Sequence, residues 1–168
     1  KLELKLSGHI IYEKDLPHFH SKGIIAGINN VSSRNNNFEV LEVVRPYIEK
    51  LEPVAYDKRI PIMVTSYFND MKKVIERLSH AMKDKGYFIM DIGDSQFAGV
   101  HIPTHEILTK ICENYGFELC EEEILRERRS KNGMILSQRL LKFRFHKKDS
   151  PFKIFYEEAQ NFRSEEHT

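Results

Sequence analysis

The sequence predicts an α/β fold in which helices layer on a sheet that an antiparallel hairpin closes at its C-terminal end. Three observations predict it. Residues 66–83 carry an apolar stripe at helical spacing that leads through a glycine turn into a compact apolar run, residues 87–92. A second helix pattern follows Pro103 and Thr104. Two strand patterns then flank Ser130-Lys131-Asn132-Gly133, and Asn-Gly suits the positive φ angles of a type I′ hairpin turn.

Residues 1–7 alternate with period two, which suggests a strand, although leucine, lysine and glutamate also favour helix. Residues 8–37 lack periodicity and read as loop with a short helix at most. Val40, Leu41, Val44, Ile48 and Leu51 give an amphipathic helix over 38–51, kinked or split by Pro46. Pro53 and Pro61 make 52–62 a connector.

The clearest helix runs over 66–83. Thr65 or Ser66 is its cap, Phe68, Met71, Val74, Ile75, Leu78 and Met82 form its apolar stripe, and Gly86 is its stop. The run at 87–92 reads as a buried strand ending at Gly93-Asp94-Ser95, followed by a loop. Thr104 is the expected N-cap of the next helix, with Ile107, Leu108 and Ile111 buried and Gly116 at its end. Residues 117–129 and 137–146 form the hairpin strands, with Leu141, Phe143 and Phe145 on one side and Lys142, Arg144 and His146 on the other. The tail from Asp149 is polar, with an aromatic cluster at Phe152, Phe155 and Tyr156.

The 168 residues suffice for a real core, and 40% of them are hydrophobic. No apolar stretch approaches the roughly 20 residues of a membrane helix. Residues 1–7 do not form the apolar block of a signal peptide, so a cytoplasmic protein is expected. Two cysteines, Cys112 and Cys120, read as buried free thiols. With 26 basic and 25 acidic side chains the net charge is +1, so only a local concentration of charge would attract nucleic acid. His9, His18, His20 and Asp15 lack a matching second pair and read as surface loop, and His105-Glu106 lacks the second histidine of a zinc-protease motif; no metal is expected. Met71, Met82 and Met90 read as core filler, and Phe143 and Phe145 as strand packing in preference to base stacking.

Three blocks carry a family resemblance: YFNDMKKVIERLSHAMKDKGYFIMDIGDS (67–95), GVHIPTHEILTKICENYGF (99–117) and LRERRSKNGMILSQRLLKFR (125–144). In this order they resemble the C-terminal part of class I S-adenosylmethionine-dependent DNA methyltransferases of the cytosine-N4 and adenine-N6 type. KLELKLSG (1–8) is similar, more loosely, to the helix after the catalytic loop in that group. The resemblance implies a partial Rossmann-like sheet with a C-terminal antiparallel hairpin. It divides the chain into a loop-rich segment with one helix (1–65), the C-terminal half of the methyltransferase fold (66–148) and a polar tail (149–168).

Such enzymes carry a glycine-rich turn for the cofactor and a Pro-Pro-aromatic loop that holds the flipped base. None of the eight glycines forms Gly-x-Gly, and no Pro-Pro occurs. Thr65-Ser66-Tyr67 looks like that loop without its prolines. The catalytic and cofactor-binding residues are therefore expected elsewhere, upstream in a longer chain or on a companion subunit, with S-adenosylmethionine bound mainly outside this chain. Asp94 and Ser95, at a strand's carboxyl end, are candidates for the base pocket or simple turn residues. Arg126, Arg128, Arg129, Lys131, Asn132 and Arg139 are candidates for DNA contact, or a solvated hairpin beside Glu121, Glu122, Glu123 and Glu127. The expected activity is methyl transfer to an exocyclic amino group of DNA in a restriction-modification system. The alternatives are a non-catalytic DNA- or partner-binding subunit and a tRNA guanine-N2 methyltransferase fragment.

Overall fold

The computed structural model describes residues 39–130 and 132–147, together with Gly8, Tyr12, Lys14, Gly23, Ile24, Ala26, Gly27, Ile28 and Val31. The expectations for 1–7, most of 8–37, the loop histidines, Lys131 and the tail lie outside the described residues. The chain divides into two compact units, Lys1–Met71 and Lys72–Thr168.

In the first unit, helix α1 spans Arg45–Leu51, with Pro46 in its first turn. Proline lacks the N–H that the first turn leaves unbonded, so the helix begins there and does not run on from residue 38. Helix α2 spans Arg59–Ala81 and continues into the second unit. It starts six residues before the expected Thr65 cap. Asp57 accepts the Arg59 N–H at 2.9 Å and pairs with its guanidinium at 2.7 Å. Pro61 then falls in the first turn, where it is tolerated. Val44, Ile48, Leu51, Ile60, Met63, Val64 and Phe68 are buried in this unit. The Asn69 amide donates to the carbonyls of Glu39, at 3.1 Å, and Thr65, at 3.0 Å.

In the second unit, α2 ends at Ala81, before the expected residue 83. The left-handed backbone that follows belongs to Lys85, at φ 61°, and not to the expected Gly86. Strand β1 is Tyr87–Gly93, and β2 (Ser95–Phe97) and β3 (Val100–Ile102) form a small antiparallel hairpin where sequence suggested loop. Ala98 and Gly99 turn it with φ 49° and 82°. Helix α3 spans Thr104–Asn114. Thr104 does not cap it: Pro103 holds the N-cap position, and the Thr104 hydroxyl donates to the Ile102 carbonyl. Ile107, Leu108 and Ile111 are buried as expected.

Strands β4 (Phe117–Arg129) and β5 (Ile135–Phe145) form the hairpin. Its turn differs from the expected type I′. The Ser130 N–H donates to Met134 O, the Gly133 N–H donates to Ser130 O, and Gly133 has φ 80°. A three-residue loop with a glycine bulge fits these bonds.

The sheet order is β1-β5-β4, antiparallel throughout. β1 and β4 run parallel to each other through the α3 crossover, but β5 lies between them. No parallel pair is hydrogen-bonded among the described residues. The observed fold is thus mixed α/β with a small antiparallel sheet.

The register assigns each side chain a face. Phe88, Met90, Phe117, Leu119, Leu141, Phe143 and Phe145 share one, where Phe88 stacks on Phe143 and meets Phe117 edge-on. Leu141 and Phe143 are fully buried there. Tyr87, Ile89 and Asp91 share the other with Lys142 and Arg144. Tyr87 is 55% and Ile89 57% exposed, so β1 is not the doubly buried strand that its apolar run suggests. Cys112 is buried and burial pushes its thiol up to about 12, whereas Cys120, expected to be buried, is exposed on β4. Among the described residues no helix is long and apolar enough to cross a membrane.

Two expectations follow for thermal or urea unfolding. Phe143→Ala leaves a cavity and costs about 3–5 kcal/mol, while Ile89→Ala stays within about 0.5 kcal/mol. Gly116→Ala is strongly destabilising, because φ is 85° and the new Cβ falls 2.5 Å from the His146 carbonyl oxygen.

Candidate functional site

β1 ends where the chain must leave the sheet, and Asp94 sits at that point with its side chain 3% exposed. A bare carboxylate there would be costly, and its oxygens are fully engaged. Oδ1 lies 2.7 Å from His105 Nδ1 on α3. Oδ2 lies 3.1 Å from His101 Nε2 on β3 and 3.1 Å from the Ser137 hydroxyl on β5. The Asp94 N–H also donates to the Ser137 carbonyl at 2.8 Å. Burial pushes this carboxyl up, but the bonds from His105, His101 and Ser137 outweigh it and hold the group below its ordinary value. With Asp94 ionised, both facing histidine nitrogens carry hydrogen.

The network continues outward. Arg139 Nε donates to the Ser137 hydroxyl at 2.9 Å, and the same guanidinium pairs with Glu122. His105 Nε2 lies 3.8 Å from Glu106 and 4.0 Å from Glu122. Serine, histidine and aspartate are together here, but not as a hydrolytic triad. The Ser137 hydroxyl donates to Asp94 and accepts from Arg139, and both histidines bond Asp94 and not the serine, so the serine–histidine bond of a triad is missing. Among the described residues no group of three or more histidine, cysteine or acidic side chains is placed to hold a metal ion.

Beside Asp94 lies a cavity of about 300 Å³, lined by Gly93, Asp94, Arg126, Arg128, Leu136, Ser137 and Gln138. Two groups of candidates that sequence kept apart, the strand-end aspartate and the hairpin arginines, therefore meet in one place. A β-bulge brings the arginines there. Between Ile124 and Arg126 the register shifts, so Arg126 faces Gln138 and Arg128 faces Leu136. Regular alternation would have turned Leu125 and Glu127 to that side. Among the described residues neither arginine has an ion-pair partner.

The other candidates lie elsewhere. Ser95 opens β2 opposite Ile102 and does not line the cavity. Arg129 stands opposite Ile135 at the far end of the hairpin, and Asn132 is exposed in its loop. Arg139 is turned inward to Glu122 and Ser137, so contact with DNA would cost it those bonds. Thr65-Ser66-Tyr67 lies inside α2 with Ser66 fully buried, which removes it as a base-holding loop. His101, His105 and Ser137 were missed by sequence reasoning. They lie 7, 11 and 43 residues from Asp94, on three different elements, with no motif spacing to signal them.

S-adenosylmethionine carries a sulfonium cation. A cavity lined by the guanidiniums of Arg126 and Arg128, without ion-pair partners among the described residues, is the wrong charge for it, so this site does not fit the cofactor. No protein-family model, curated protein or solved structure matches the chain.

Asp94→Asn is expected to cost about 1–3 kcal/mol at neutral pH, since one buried donor loses its acceptor. The depressed Asp94 carboxyl contributes stability that is present above its unfolded value of 3.8 and is lost as pH falls through the folded value. Urea unfolding across pH roughly 2–7 should therefore show an acid decline that is shallower in Asp94→Asn than in the wild type.

Proposed function

We propose that this chain is the C-terminal part of a nucleic-acid methyltransferase that acts on an exocyclic amino group of a DNA base, with S-adenosylmethionine as methyl donor. The reading draws on the three sequence blocks and their order. Its main structural support is the strand end at Gly93-Asp94, which opens on a cavity lined by Arg126 and Arg128. Arginines without an ion-pair partner among the described residues favour phosphate. In this role the chain supplies the nucleic-acid side of the enzyme: a hairpin of β4 and β5, with Arg126 and Arg128 toward the backbone. The transfer itself belongs to residues outside 39–147, on the upstream part of a longer chain or on a companion subunit.

A second reading, a non-catalytic nucleic-acid-binding subunit, is favoured by the burial of Ser66 within α2, which leaves Thr65-Ser66-Tyr67 no part in holding a base.

The test incubates the product of the whole reading frame, and this chain alone, with labelled S-adenosylmethionine and unmethylated duplex DNA or tRNA. Label on DNA from the whole product and none from the chain alone is the expected result. Label on tRNA in place of DNA moves the substrate to RNA. No label on either would sink the methyltransferase reading, and salt-sensitive DNA binding by the chain would then support the second.

A further inference from the structure

The cavity beside Gly93 has more structure than an arginine patch requires. Arg126 and Arg128 are two residues apart on one face of β4, so their backbone origins lie about 7 Å apart. Side chains as long as these converge on one phosphate from that spacing. Opposite them on β5 are Gln138 and Leu136. Leu136 is buried and gives the cavity an apolar floor.

Gly93 pairs with Gln138, so the side chain it lacks would stand on this same face. A Cβ added there meets only the Ser137 carbonyl oxygen, at 3.9 Å, which leaves flat open space beside Leu136. The Gln138 amide nitrogen donates to both Asp91 oxygens, at 2.9 and 3.0 Å. That fixes the amide and leaves its carbonyl oxygen as an acceptor. The Asp94 side chain is buried, and its three bonds run to His101, His105 and Ser137.

From this arrangement we infer that the cavity is a nucleotide site. Arg126 and Arg128 hold the phosphate, Leu136 and the bare Gly93 backbone take one face of the base, and the Gln138 carbonyl accepts from an amino group on the base edge. The volume, about 300 Å³, is at the small end for ligand sites and suits one nucleotide. The inference deepens the nucleic-acid part of the reading above and is independent of methyl transfer. The shared chemistry is a phosphate joined to a flat base, whether free or as one unit of a strand.

The experiment is a calorimetric titration of the full chain, without S-adenosylmethionine, using dAMP, deoxyadenosine, inorganic phosphate and a 5′-phosphorylated single-stranded hexanucleotide. dAMP should bind about tenfold or more tighter than either deoxyadenosine or phosphate. Arg126→Gln with Arg128→Gln should weaken dAMP by about tenfold or more, while Arg129→Gln, at the hairpin's far end, changes it by less than about twofold. Gly93→Val keeps both arginines and fills the floor, so it should abolish the preference for dAMP over phosphate. A hexanucleotide that binds tighter than dAMP assigns the site to a strand, and equal or weaker binding assigns it to free nucleotide; either outcome supports the site. Phosphate binding as tight as dAMP would overturn the nucleotide assignment. Unchanged dAMP affinity in the double arginine variant, with an unchanged melting curve, would overturn the location. Because no methyl donor is present, failure here is distinct from failure of the transfer assay.

Discussion

The second unit depends on one buried charge. Asp94 stands at the end of β1, where the chain leaves the sheet, and its carboxylate gathers a histidine from β3, a histidine from α3 and a serine from β5. Each partner gives the buried carboxylate a hydrogen bond, and each belongs to a different element. The aspartate therefore fixes the angle of the small β2-β3 hairpin, the start of α3 and the height of β5 at once. Hydrophobic burial at Leu141 and Phe143 holds the layers together without specifying that geometry, because apolar contact is not directional.

Two departures from regular strand geometry give this frame its chemical character. β4 carries register shifts at Leu119/Glu121 and Ile124/Arg126. The first keeps Glu121 beside Lys142, at 3.0 Å, and Glu122 on the opposite face beside Arg139. The second delivers Arg126 and Arg128 to the cavity at the end of β1. Glu118, Glu121 and Glu122 are thus paired within the sheet, whereas Arg126 and Arg128 beyond the second bulge have no ion-pair partner among the described residues. A net charge of +1 conceals this separation.

Elements with a strong local signal were legible. The apolar positions of α3, the long β4, and the inward set Leu141, Phe143 and Phe145 follow from period alone, and a hairpin at Asn132-Gly133 follows from turn chemistry. Boundaries that hinge on a single contact were not. α2 begins at Arg59 because Asp57 reaches the Arg59 N–H, whereas Thr65 and Ser66 look like better caps in isolation. The exposure of Tyr87 and Ile89 was equally hidden, since an apolar run says nothing about how many faces of a strand are covered.

The candidate site divides in the same way. Sequence by itself determined that an aspartate would stand at a strand end and that arginines would crowd a hairpin, because both are local facts of pattern and composition. Tertiary structure alone decided that they share a cavity, that Arg139 turns inward, and that His101, His105 and Ser137 hold the aspartate. Those outcomes rest on side chains up to 43 residues apart and on a one-residue bulge that exchanges the faces of β4. Neither leaves a periodic trace, since a bulge is the point at which the period of two breaks and a buried carboxylate takes its partners from whatever elements the packing brings near it.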